Sequence, residues 1–238
     1  RWSSAHAYGV ALVLYLAPIV GLASIRTPTR PQARPGSRLD DVREGLAYLR
    51  RERVVLGAIS LDLMAVLLGG ATALLPVFAR DILHVGAQGF GWLRSAPAVG
   101  ALAVALVLAA HPIQRCVGRW LFAGVAVFGL CTIVFGLSRS FPLSAVALAV
   151  LGGADMLSVY VRQTLIQIVA PDAMRGRVAA VSFLFIGASN ELGEFESGVT
   201  ARLFGPVGAA VFGGAAALVV TALWMRLFPE LRRVDRLD

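Results

Sequence analysis

The sequence predicts an all-α polytopic membrane protein with about seven transmembrane helices. Three observations carry that expectation. Of the 238 residues, 58% are hydrophobic and only 15% charged, more apolar surface than a soluble domain of this length buries. The apolar residues come in runs of about 20, the length that crosses a bilayer as a helix. The short alternating segments of a β-barrel do not occur. Finally, all 22 basic residues are arginine, and apart from Arg94 and Arg162 they stand in or beside the connections between runs.

Seven spans follow in order, at roughly 8–25, 54–79, 89–111, 119–138, 142–168, 178–202 and 205–227. The first precedes the one long connection, 26–53. Its Pro- and Arg-rich first part reads as an extended linker. Its second part predicts a helix capped at Ser37, with Asp40 three residues on. Leu39, Val42, Leu46 and Leu49 share one face of that helix, and Asp40, Arg43, Glu44 and Arg50 the other. Such a helix is expected to lie along the membrane interface. The domain division is therefore 1–25, a single helix; 26–53, the linker with its amphipathic helix; 54–228, a six-helix unit; and 229–238, a tail. "GAQGFG" at 86–91 reads as an external turn between the second and third spans. In the last span Gly205, Ala209, Gly213 and Ala217 recur every four positions, a pattern that lets helices approach closely. The chain opens at Arg1 rather than methionine, and the expectation is a piece of a longer protein.

Arginine placement predicts orientation. Sixteen arginines lie on one side, in 26–53 (eight) and at Arg115, Arg119, Arg175, Arg177, Arg226, Arg232, Arg233 and Arg236; four lie on the other, at Arg1, Arg80, Arg139 and Arg202. By the positive-inside rule the first side is cytoplasmic, the C-terminus with it. Such a basic balance belongs to membrane topology here and not to a nucleic-acid partner. "AVLLGGAT" at 65–72 resembles "AVLGGAD" at 149–155. Spans two to four and five to seven, 54–138 and 142–228, would then be inverted repeats with Gly-interrupted helices near a midplane site.

Charges inside the runs are the candidate site. Asp62, Arg94, Asp155, Arg162, Glu191 and Glu194 each cost roughly 2.5–3.5 kcal/mol on a lipid-facing helix, so they must pair, face a cavity or bind protons. Helical geometry places Asp155, Ser158, Val159, Arg162 and Ile166 on one face of span five, with Gln163 and Gln167 at its flank. On span six, Phe183, Gly187, Asn190, Glu191, Glu194 and Gly198 share a face, and Glu196 points away into solvent. Depth along the spans pairs Arg94 with Glu194 and Asp62 with Arg162. Two carboxylates three residues apart disfavour each other's ionisation. With Glu194 held by Arg94, Glu191 becomes the proton carrier, and Asp155 is its rival. Cationic substrates suit Asp155 and Glu191; anionic ones suit Arg94 and Arg162.

"ALLPVFARDIL", "GFGWLRSAPAVGAL", "RQTLIQIVAPDAMRGRVAAV" and "GASNELGEFESG" together resemble the C-terminal half of a major facilitator superfamily transporter, in the enterobactin-exporter-like group of transmembrane secretion effectors. The resemblance implies alternating-access export of small amphiphiles of drug or siderophore class, coupled to protons, in the inner or plasma membrane. It implies the bilayer, a small-molecule substrate, protons and a missing N-terminal half as partners, with no cofactor, no metal and no enzymatic activity. The superfamily's loop motif has a degenerate counterpart in "HPIQRCVGRW": Gly118 and Arg119 fit, but Arg115 stands where an acid belongs. In "PDAMRGR", Asp172 is expected to cap the next helix, while Arg175 and Arg177, around Gly176, meet anionic headgroups or only set topology. The competing classes are a seven-helix receptor, a structural membrane protein without transport and an intramembrane enzyme. A retinal protein needs a lysine, and the chain has none; neither GxSxG nor HExxH occurs.

Overall fold

The computed structural model describes residues 4–24 and 38–235, and every described element is helical. Segment 26–37 lies outside the described residues, as do residues 236–238 and the side chains of Leu39 and Asp40. Ser4–Ala23 forms α1, with Pro18 inside it, within a separate unit, Arg1–Gly36. The larger unit, Ser37–Asp238, holds α2 (Arg38–Arg51), α3 (Arg53–Leu68), α4 (Ala87–Ala110), α5 (Val117–Leu137) and α6 (Phe141–Val169). One further helical stretch, Asp172–Leu227, is interrupted at Gly205 and is treated as α7 (172–204) and α8 (206–227). Pro229–Arg233 is α9.

Among the described residues five stretches are long and apolar enough to cross a membrane: Arg53–Ile82, Ala87–Ala110, Val117–Leu137, Phe141–Val169 and Asp172–Leu227. The protein is a polytopic all-α membrane protein. The last stretch has 56 residues, about 84 Å as one straight helix against a hydrocarbon core of about 30 Å. It does not run straight. Gly205 has φ 75° and ψ 165°, a conformation that side-chain-bearing residues avoid, and Pro206 follows as the first residue of α8. Gly193 abuts Val66 and Leu67, while Gly213 abuts Leu68 and Gly69. A continuous helix would hold those glycines about 30 Å apart, yet both meet one turn of α3. The chain therefore folds back at Gly205. This residue is the reversal point and not a member of the packing stripe expected for the last span. Ala209, Gly213 and Ala217 of that stripe are buried.

Two further differences concern glycines. The expected span 54–79 is not one helix. α3 stops at Leu68, Gly69 and Gly70 break it, and the chain resumes through a 3-10 turn (Ala71–Leu74), a short helix (Leu75–Val77) and a π-turn (Phe78–Ile82). The matching Gly152 and Gly153 stay inside continuous α6. They serve contact: a Cβ on Gly152 would lie 2.1 Å from Pro97 O of α4. The backbones of α4 and α6 touch because no side chain separates them. "GAQGFG" is not a turn beyond its first residue, since Gly86 is the N-cap and Ala87 opens α4.

The bundle has an arginine-rich end and a Gly205 end. Arg53 at the start of α3 pairs with Glu230 of α9 at 3.2 Å. Gly118 at the start of α5 donates its N–H to Val234 O at 3.1 Å, and Trp224 Nε1 of α8 donates to Ser60 Oγ at 3.0 Å. One core cluster, with Leu61, Leu121, Val161, Leu165 and Leu231, ties α3, α5, α6 and α9 together at that end. A second, with Leu75, Phe78, Leu93, Phe135 and Leu148, joins the segment after α3 to α4, α5 and α6 towards the Gly205 end; there the rings of Phe78 and Phe135 stand 4.5 Å apart.

Helix α2 docks on the bundle. Leu49 is buried with Val55, Ile166 and Val178, and Tyr48 donates its hydroxyl to Val169 O at 2.9 Å. Glu44 pairs with Arg177. Gly45 lies against the Arg177 backbone, where a Cβ would come within 3.2 Å of its carbonyl oxygen.

Candidate functional site

The buried face of α6 carries the site because Asp155, Ser158 and Arg162 recur at helical spacing. Arg162 Nη1 pairs with Asp62 Oδ2 of α3, and only 2% and 8% of the two side chains are exposed. Ser158 Oγ donates to Asp62 Oδ1 at 3.4 Å. The structure thus brings together the Asp62 and Arg162 that depth along the spans had paired. Their attraction offsets part of the cost of two ions among apolar helices. The satisfaction is incomplete, since Arg162 Nε is buried without a hydrogen-bond partner among the described residues. A guanidinium has five donors to satisfy, and an orphaned buried N–H needs an explanation.

Asp155 links this pair to open space. It shares a narrow cleft with Asp62, Ser158, Val66 and Phe128. It also borders a cavity of about 190 Å³ that reaches Gly69, Gly70, Thr72, Pro97 and Asn190. That cavity exists because α3 breaks at the glycine pair, where Thr72 replaces a continued apolar turn. The sequence analysis did not name Thr72; its signal was the Gly-Gly that precedes it.

The remaining expected residues lie elsewhere. Glu191 and Glu194 are exposed on α7, and the Glu191 side of that helix carries Gly187 and Gly198, which have nothing within 4 Å of a would-be Cβ. The opposite side, with Ser189, Gly193 and Ser197, is buried against the bundle. Arg94 is also exposed and forms no ion pair with Glu194. The expected Arg94–Glu194 pair is therefore absent, because Arg94 faces outward from α4 while Leu93 and Ala96 turn inward. Gln163 is half-buried beside Arg162, and Gln167 is exposed. Glu196 is not solvated as expected: it is half-buried and accepts a hydrogen bond from Thr200 Oγ1 at 2.5 Å.

The loop residues are mostly structural. Asp172 does not cap α7. Pro171 is the N-cap, and Asp172, in the first turn, pairs with Arg175 at 2.6 Å. Arg175 Nε also donates to Ala170 O at 3.1 Å, closing the C-terminus of α6. Arg177 is engaged by Glu44, and exposed Gly176 has open space around it. Gly118 is buried where a Cβ would sit 1.9 Å from Leu231 O. Exposed Arg119 borders a crevice with Arg232. Among the described residues no group of three or more His, Cys, Asp or Glu side chains is placed to hold a metal ion.

A model of the transmembrane secretion effector family matches residues 2–238. The chain belongs to that family, a branch of the major facilitator superfamily. Similar curated proteins include the enterobactin exporter EntS of Citrobacter koseri, 26% identical over 231 residues, which are 95% of this chain and 54% of that protein. The enterobactin exporter EntS of Escherichia coli O1:K1 / APEC shows the same identity and coverage. The chain spans about half the length of the curated relatives it matches. Against that family background, the buried pair and its cavity lie among the helices of a membrane transporter fold.

Proposed function

We propose that the whole protein is an exporter of small amphiphilic molecules, of drug or siderophore class, driven by a proton gradient across the inner membrane. This chain would supply about half of it. The observation that carries the reading is the Asp62–Arg162–Asp155 arrangement. Two carboxylates and one guanidinium meet at a cleft that continues into a cavity. With both carboxylates ionised the group carries one net negative charge, and one bound proton makes it neutral. Alternating access changes the water reaching such a group, and with it the proton's affinity.

We assign the proton to Asp155 rather than to Glu191. Asp62 is held by Arg162, which leaves Asp155 as the carboxylate facing the cavity, beside Asn190 and Thr72. Glu191 is exposed on the open side of α7. That polar stripe, edged by glycines that admit a close neighbour, suits the remaining half of the transporter.

The test is efflux by the full-length protein in vesicles with an imposed pH gradient. Asp155→Asn is expected to abolish uphill transport and to leave downhill counterflow. Glu191→Gln is expected to keep pH-driven transport. The reverse result would sink the assignment to Asp155.

A further inference from the structure

We propose that the crevice between α5, α8 and α9 at the arginine-rich end binds an anionic phospholipid, with Arg119 and Arg232 holding its phosphate. The crevice encloses about 550 Å³, and its lining is Arg119, Phe122, Ala123, Ala126, Met225 and Arg232. Two charges therefore stand at one rim, over walls made by an aromatic ring, two alanines and a thioether. That order matches a phospholipid, with its phosphate above and an acyl chain below.

The two guanidiniums are uncommitted, unlike their neighbours. Arg53 pairs with Glu230, Arg175 with Asp172 and Arg177 with Glu44. Arg119 and Arg232 are exposed and make no ion pair among the described residues. Asp235, on the same end of the bundle, instead accepts the Cys116 N–H at 3.2 Å. Like charges facing one crevice repel, and a phosphate between them replaces that repulsion with charge-assisted hydrogen bonds in a geometry that guanidinium suits. Basic pockets between helix ends are where anionic headgroups bind.

Room for a second acyl chain lies across Ala123. The same residue borders an apolar groove of about 420 Å³, with Gly100, Gly153, Val127 and Trp120 among its lining. The groove exists because α4 and α5 both rest on α6, and Gly100, Ala123 and Gly153 carry little or no side chain. A two-chain lipid fits astride α5, one chain on each side of Ala123. A soluble phosphate would occupy only the rim, so the apolar walls favour the lipid as occupant.

Native mass spectrometry of the detergent-purified full-length protein tests this, with phosphatidylglycerol, phosphatidylcholine and soluble glycerol 3-phosphate as probes. Phosphatidylglycerol adducts are expected to be retained in excess over phosphatidylcholine. Arg119→Gln and Arg232→Gln should each lower that excess about fivefold, whereas Arg139→Gln at the other end should leave it unchanged. Ala123→Trp should lower retention of phosphatidylglycerol with no change of charge. Both arginines are exposed, and circular dichroism checks that each variant folds; Arg119→Lys, which keeps the charge, is expected to keep most of the excess if the glutamine variant does not fold. Equal retention of the two lipids, or an excess that survives the double glutamine variant, overturns the proposal. Equimolar glycerol 3-phosphate displacing the lipid would also overturn it, since the rim would then bind phosphate without need of the membrane.

Discussion

Removing one member of the Asp62–Arg162 pair should cost far more than removing both. The two side chains keep only 8% and 2% of their exposure, so Asp62→Asn leaves a guanidinium inside the bundle with no carboxylate on it. Breaking a buried pair in this way costs about 3–5 kcal/mol. At roughly 2–4 °C per kcal/mol for a unit of this size, the expected loss of thermal stability is about 6–20 °C. Arg162→Met strands the Asp62 carboxylate instead, and a cost of the same order is expected. The double variant Asp62→Asn, Arg162→Met removes both ions and the Nε donor that lacks an acceptor. It should recover most of the stability, because apolar replacement of buried pairs is often neutral. The assay is thermal unfolding in detergent by circular dichroism, run as a double-mutant cycle. A coupling below about 1 kcal/mol would refute the reasoning. Asp62 and Arg162 would then be solvated or separately satisfied.

Tyr48→Phe removes the hydroxyl that donates to Val169 O and should weaken docking of α2 by about 1 kcal/mol. Burial, and then the Glu52 carboxylate, raise the Tyr48 pKa above the usual tyrosine value. Its contribution is therefore complete below a pH of about 10 and is lost as pH rises through the raised value. A spin label at exposed position 43 should be more mobile in Tyr48→Phe at neutral pH and equally mobile in both proteins at high pH; equal mobility at neutral pH would contradict the role given to this bond. For orientation, reporter fusions after residues 114, 174 and 235 are expected to read cytoplasmic and those after 84 and 140 external. A cytoplasmic signal after 84 would reverse the placement of the arginine-rich end.

The fold class was legible in the sequence because it follows from composition and run length alone. Apolar runs of bilayer length must be helical, since hydrocarbon offers backbone groups no partner outside their own segment. Helical period likewise put Asp155, Ser158 and Arg162 on one face before any neighbour was known. Depth along the spans brought Asp62 opposite Arg162, because two ions in an apolar bundle have few other ways to be tolerated. Facing was not legible for single charges between helices. Arg94 and Glu194 match in depth, but helix rotation, which depth does not contain, turns both outward. The roles of the glycines also needed the tertiary structure. Gly69 and Gly70 break α3, Gly152 and Gly153 stay helical to admit α4, and Gly205 reverses the chain. The residue type is the same in each case, and only the neighbouring backbone decides whether its missing side chain serves a bend or a contact. The loop arginines divide in the same way. Sequence made them one basic class, while the docking of α2 and α9 gave Arg177 and Arg53 their acids and left Arg119 and Arg232 facing a crevice. Composition thus set which elements cross the membrane. Rotation and close approach of the packed helices, set by side-chain volume over long sequence separations, decided what each charge meets.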